Sequence, residues 1–153
     1  MKKVGKIIGG VLLIALVIIQ FIRPKKNQQG YESVVAFEAE TQSTEEIKTI
    51  LRNNCYDCHS NQTTYPWYAE IAPVSYWLND HIEEGKEHFN VSEWESYSVK
   101  RKDHKLEELE EEVEEGHMPL DSYTWLHGDL TKDQQTALIE WAKKSRKALQ
   151  AKK

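Results

Sequence analysis

Cys55-Tyr56-Asp57-Cys58-His59 is the stretch of this chain best equipped to do chemistry. Two thiols three positions apart can each reach one vinyl group of a single porphyrin. A histidine directly after the second thiol can then offer its imidazole nitrogen to the iron, and C-x-x-C-H is the attachment signature of c-type haem. Cys55 and Cys58 are the only cysteines in the sequence. A disulfide scaffold usually needs more of them, and a four-ligand zinc site would have to recruit two further groups from scattered histidines. A thioredoxin-like redox dithiol is the main competitor; it belongs to a βαβ context, and no strand-rich pattern surrounds this motif.

A second candidate ligand lies in Gly116-His117-Met118-Pro119-Leu120. Met118 is the only methionine besides the initiator, and a thioether is a soft donor that suits haem iron and raises its potential relative to bis-histidine ligation. Its separation of 59 residues from His59 leaves room for two or three helices to carry the loop across the opposite haem face. Pro119 would stiffen that loop. Adjacent His117 is the rival ligand, and a gap-filling core methionine is the plain alternative. His81 falls on an apolar helical stripe, where ligation or a bond to a haem propionate competes with an ordinary hydrogen-bonded core role. Trp67 and Tyr68, in a proline-punctuated loop after the motif, are candidates to shield a haem face or to anchor the core. One covalently attached haem c is the implied cofactor.

Helices are the elements expected to position these groups. Ser43-Thr44-Glu45-Glu46 reads as a capping box, and Ile47, Ile50, Leu51, Cys55 and Cys58 follow on one helical stripe, so the cysteines should continue that apolar face. A second helix is expected from Pro73 to about Glu84, stopped by Gly85. Ser92 and Glu95 suggest a short helix around Trp94. A longer helix should cover about 102–115, with a narrow stripe of Leu106, Leu109 and Val113 and a glutamate-rich solvated face. Residues 123–128 read as an aromatic loop. Thr131-Lys132-Asp133-Gln134 is a capping box opening the closing helix, whose natural mate is the helix leading into the haem motif.

Charge divides the chain. Residues 1–30 carry six basic and no acidic side chains, whereas the remaining 123 residues hold 14 basic against 25 acidic ones. Such an acidic body argues against nucleic acid as a partner. Ile7 to Ile22 is an apolar run bracketed by Lys2, Lys3 and Lys6 before it and Arg23, Lys25 and Lys26 after it. With no small-x-small cleavage site following, it reads as an uncleaved signal anchor. The basic residues are tied at three on each side and leave orientation open. Haem c is assembled outside the cytoplasmic membrane, which places the domain on the periplasmic or outer side. The expected organisation is a transmembrane segment over 1–26, a tether over 27–42 and an all-α, cytochrome c-like domain around one haem over 43–150.

C-x-x-C-H near the end of a first helix, a later Met-Pro loop and a closing helix opened by Leu130-Thr131 together resemble class I c-type cytochromes. The chain is more closely similar to a small bacterial haem-binding domain family with a single C-x-x-C-H. That resemblance is carried by residues 55–61, Tyr65-Pro66-Trp67-Tyr68, Ile71-Ala72-Pro73-Val74-Ser75, His81-Ile82-Glu83-Glu84-Gly85 and Phe89-Asn90-Val91-Ser92-Glu93-Trp94, and it covers about 36–145. It implies haem attachment without naming a pathway. Trp141 stands where class I cytochromes carry small residues at a helix crossing.

The leading functional expectation is a membrane-anchored monohaem cytochrome, not an enzyme, passing single electrons to redox proteins that the sequence does not name. A haem-based sensor or small-ligand binder is the alternative if Met118 leaves the iron open, and a thiol redox protein if no haem attaches. A peroxidase would need a distal acid–base pair such as His with Arg. Beyond the anchor only Arg52, Arg101 and Arg146 exist, none beside a candidate distal histidine.

Overall fold

The computed structural model describes residues 2–151, and their regular structure is helical. The helices are α1 (Lys2–Ile19), α2 (Val35–Glu40), α3 (Glu45–Asn54), α4 (Tyr56–His59), α5 (Val74–His88), α6 (Val99–Glu114), α7 (Asp121–His127) and α8 (Lys132–Gln150). Short 3₁₀ turns at Tyr31–Val34, Trp67–Glu70 and Val91–Ser96 link them. The four longer helices of the domain begin at residues suited to start one. The Thr44 and Ser98 hydroxyls accept from the Ile47 and Arg101 amides, Pro73 precedes α5, and Thr131 with Gln134 closes a reciprocal capping box. The first cap is therefore Thr44 rather than Ser43.

The core is built around a segment expected to be a tether. Val34 and Phe37 are fully buried, and Phe37 meets Phe89, Trp94 and Trp141 edge-on at 6.0, 4.9 and 5.8 Å between ring centroids. Such contacts add to the area that the rings bury. The polar half of α2 is satisfied by partners: Glu38 takes the Tyr56 hydroxyl and faces Arg52 and Lys48, and Glu40 takes the Trp94 indole and the Lys102 ammonium. Upstream, buried Asn27 donates to the Ser60 carbonyl at 2.8 Å and to the Thr63 hydroxyl at 3.0 Å, and Gln28 bridges Gln62. Residues 27–42 are thus an integral part of the domain, clamping the loop that follows the cysteine motif.

The closing helix α8 lies chiefly along α6 rather than along α3. Leu106 and Val113 of α6 share a core with Leu138, Ala142 and Leu149 of α8. Arg146 straps the pair together, reaching Asp103 at 3.2 Å, Glu107 at 2.5 Å and Glu110 at 3.2 Å, while Lys143 adds a second bond to Glu110. Hydrogen bonding from the Arg146 guanidinium holds the Glu107 carboxyl below its usual range. Part of the glutamate face expected to be solvated is therefore a glue between two helices. Most of residues 123–128, expected to be loop, belongs instead to α7, which is ended by Gly128 in the left-handed region at φ 80°.

Helix α1 buries none of its residues. No helix among the described residues is long and apolar enough to cross a membrane. Of the 18 residues of α1, Lys2, Lys3 and Lys6 occupy the first two turns, so its apolar part is shorter than the segment expected over 1–26.

Candidate haem site

The motif does not continue the helix that leads into it. Helix α3 stops at Asn54, and Cys55, at φ −127° and ψ −46°, breaks the helical path before the single turn of α4. The Cys55 carbonyl then accepts from both the Cys58 amide at 3.2 Å and the His59 amide at 2.9 Å. Below the turn, the Ser60 hydroxyl donates to the Tyr56 carbonyl and the Thr63 hydroxyl to the Asp57 carbonyl. The Asp57 carboxylate takes the Thr64 amide at 2.7 Å. These bonds fix a backbone that would otherwise be an irregular loop.

Helix α5 crosses directly over this turn. A Cβ at Gly85 would stand 2.7 Å from the Cys58 carbonyl oxygen and 3.0 Å from the Cys58 Cβ, so only glycine permits the approach. Gly85 is therefore a packing contact in the last turn of α5, which runs on to His88 instead of stopping there. The approach delivers the carbonyl of Phe89 to His59, whose Nδ1 donates to it at 3.0 Å. Nδ1 is thereby committed to the backbone, the arrangement that orients a ligand histidine to bind through Nε2. Burial lowers the pKa of His59, which favours the neutral ring that a metal ligand must be.

The loop carrying Met118 hangs from the end of α6. Gly116 takes the left-handed conformation, its amide donates to the Val113 carbonyl, and the His117 and Met118 amides both donate to the Glu112 carbonyl. This is a Schellman-type helix end, and it turns Met118 inward while His117 stays outside. The His117 side chain is 63 % exposed, beside Glu112 and Glu115.

One cavity of about 460 Å³ collects these groups. Cys55, Cys58 and His59 line it together with Met118, Pro119 and Leu120, and Phe89, Leu109, Val113 and Leu130 supply apolar wall. Its size falls in the range of cofactor sites, and such walls suit a flat apolar ring system. His81 and His88 of α5 also border it, with the His81 Nδ1 bonded to the Trp77 carbonyl at 2.9 Å. Lys105, Glu84, Glu108 and Glu112 bring charge to the lining. Two thiols, an imidazole and a thioether around an apolar cavity form a donor set that fits haem.

Trp67 and Tyr68 do not line the cavity, and Trp67 is 77 % exposed, so neither shields this site. Sequence reasoning missed Gly85, the Phe89 carbonyl and Tyr123. The Tyr123 hydroxyl donates to the Asn53 carbonyl at 2.8 Å and meets Asp57 Oδ2 at 3.2 Å, tying α7 to the motif from below. A backbone acceptor leaves no residue signature, and Tyr123 lay in a stretch read as loop.

The haem-binding domain family model matches residues 14–144. The chain belongs to the haem-binding domain family. No curated protein and no solved structure matches it. The matched span runs from within α1 through most of α8 and includes residues 27–42, in keeping with their place in the folded unit.

Proposed function

We propose that this haem-binding domain is a monohaem c-type cytochrome that carries single electrons at the outer face of the cytoplasmic membrane. Cys55 and Cys58 are the thiols for covalent attachment, His59 Nε2 is the proximal ligand and Met118 Sδ the second. The observation that carries the reading is that these four residues, spread over 64 positions, line one apolar cavity. Bound there, a haem supplies a one-electron iron couple. The protein's part is to hold His59 through Phe89, to hold Met118 through the end of α6, and to exclude water with the apolar wall.

A thiol redox role is less well supported. Burial pushes both thiols up to about 12, whereas redox cysteines are reactive through a lowered pKa. With no substrate pocket required, the reading assigns no enzymatic activity. From Ile7 onward helix α1 carries apolar side chains on every side, from Leu16 at 47 % to Phe21 just beyond it at 82 % exposed, and a helix apolar all round belongs in lipid. It serves as the membrane anchor.

The test is the mass and reduced absorption spectrum of the protein made in a host that attaches haem c. A mass raised by one haem, with sharp reduced α and β bands, is the expected result. The unmodified mass, where a control cytochrome matures, overturns the proposal.

A further inference from the structure

Helix α1 is joined to the domain by a built contact rather than a free linker. Gln20 Nε2 donates to the Ala72 carbonyl and the Ala72 amide donates back to Gln20 Oε1, both at 3.0 Å. The Tyr76 hydroxyl donates to the Ile22 carbonyl, and Glu70 pairs with Arg23 and Lys26. Five interactions thus fasten residues 20–26 to the 67–70 turn, to Ala72 and to the start of α5, and Lys26 also lies over the Tyr65 ring at 5.4 Å. The same elements expose large apolar side chains that the haem site does not use. Trp67, Ile71 and Trp77 are exposed, as are Phe21 and Ile22 at the joint itself.

Two arguments identify what covers this collar. The apolar part of α1, the 13 residues from Ile7 to Ile19, measures about 20 Å, about 10 Å less than a hydrocarbon core. Apolar rings fixed at its end make up such a shortfall by drawing the domain down to the bilayer surface. The composition is also interfacial: exposed tryptophans on the elements that hold residues 20–26, together with Arg23, Lys25 and Lys26 of a 30-residue N-terminal stretch without an acid, match headgroup-level aromatics and anionic lipid.

We propose that Trp67, Ile71 and Trp77 form a collar that seats in the headgroup layer of an anionic bilayer around α1, giving the haem domain one fixed orientation to the membrane. This rests on the anchoring role given to α1 above. The test places p-benzoylphenylalanine, singly, at Trp67, Trp77, Leu13 or Lys147 of the full chain in phosphatidylcholine–phosphatidylglycerol vesicles, irradiates, and identifies adducts by mass. Lipid adducts at Trp67, Trp77 and Leu13, and none at Lys147, are expected. Lipid adducts at Leu13 alone would leave the anchor standing and overturn the collar. Protein–protein adducts at Trp67 or Trp77 would overturn it in favour of a polypeptide on that face. Absence of lipid adducts at Leu13 would overturn both anchor and collar.

Discussion

Replacing Gly85 with alanine adds one methyl group at the place where α5 and the cysteine motif touch. On an exposed helix the change would stabilise by about 1 kcal/mol, since alanine is the better helix former. Here the new Cβ stands 2.7 Å from the Cys58 carbonyl oxygen, 3.0 Å from the Cys58 Cβ and 3.2 Å from its carbonyl carbon. Reaching ordinary contact at 3.4 Å requires a displacement of about 0.7 Å, and none of the obstructing atoms is a flexible side-chain end. Overpacking of this kind costs about 1–3 kcal/mol, and obstruction by backbone puts it in the upper half of that range. Gly85→Ala should therefore destabilise by a net of about 1–2 kcal/mol, lowering the melting temperature by about 2–8 °C at this chain length. Denaturant titration of the haem-loaded protein, followed by the haem band and by far-ultraviolet circular dichroism, measures it. A variant as stable as the parent, or more so, would refute the close approach of α5 to the motif.

Phe37→Ala should cost about 3–5 kcal/mol in the same titration, because it empties the centre of an aromatic core; a loss below about 0.5 kcal/mol would restore residues 27–42 to the status of a tether. Met118→Ala should convert a low-spin oxidised haem to a high-spin one, read in the visible spectrum, and an unchanged spectrum would favour the open-site sensor. Arg146→Met removes the strap between α6 and α8 and should cost about 1–2 kcal/mol at neutral pH, for one guanidinium serving three carboxylates. Since Arg146 lowers the pKa of Glu107, that part of the stability is present above the ordinary value of 4.5 and is lost as pH falls through the lowered one. The difference between parent and variant should accordingly shrink in acid, and a gap that widened there would count against the assignment.

The chemistry was legible where it is local. Cys55, Cys58 and His59 declare themselves by spacing, and Met118 by its isolation beside Pro119. Thr131 with Gln134 announces the start of α8 because a capping box depends on two nearby side chains. What depends on distant partners stayed hidden. Helix α2 is only six residues long, too short for a periodicity to emerge, and Glu38 and Glu40 make it look solvated until Tyr56, Arg52, Trp94 and Lys102 arrive from elsewhere. Gly85 reads as a helix stop because that is the commoner use of glycine. Its actual reason lies 27 positions away in the Cys58 backbone. The break at Cys55 stayed hidden likewise, since extrapolating the period of α3 takes no account of it, although Cys55 still packs on the core that α3 faces.

The bond from His59 to the Phe89 carbonyl has a genetic consequence. The acceptor belongs to the main chain, so no codon change at position 89 deletes it, and substitutions there act only through the packing of the ring. Inheritance of the imidazole's orientation is vested in the course of the backbone. In a saturation scan the most intolerant position supporting His59 should consequently be Gly85, a residue with no side chain to lose.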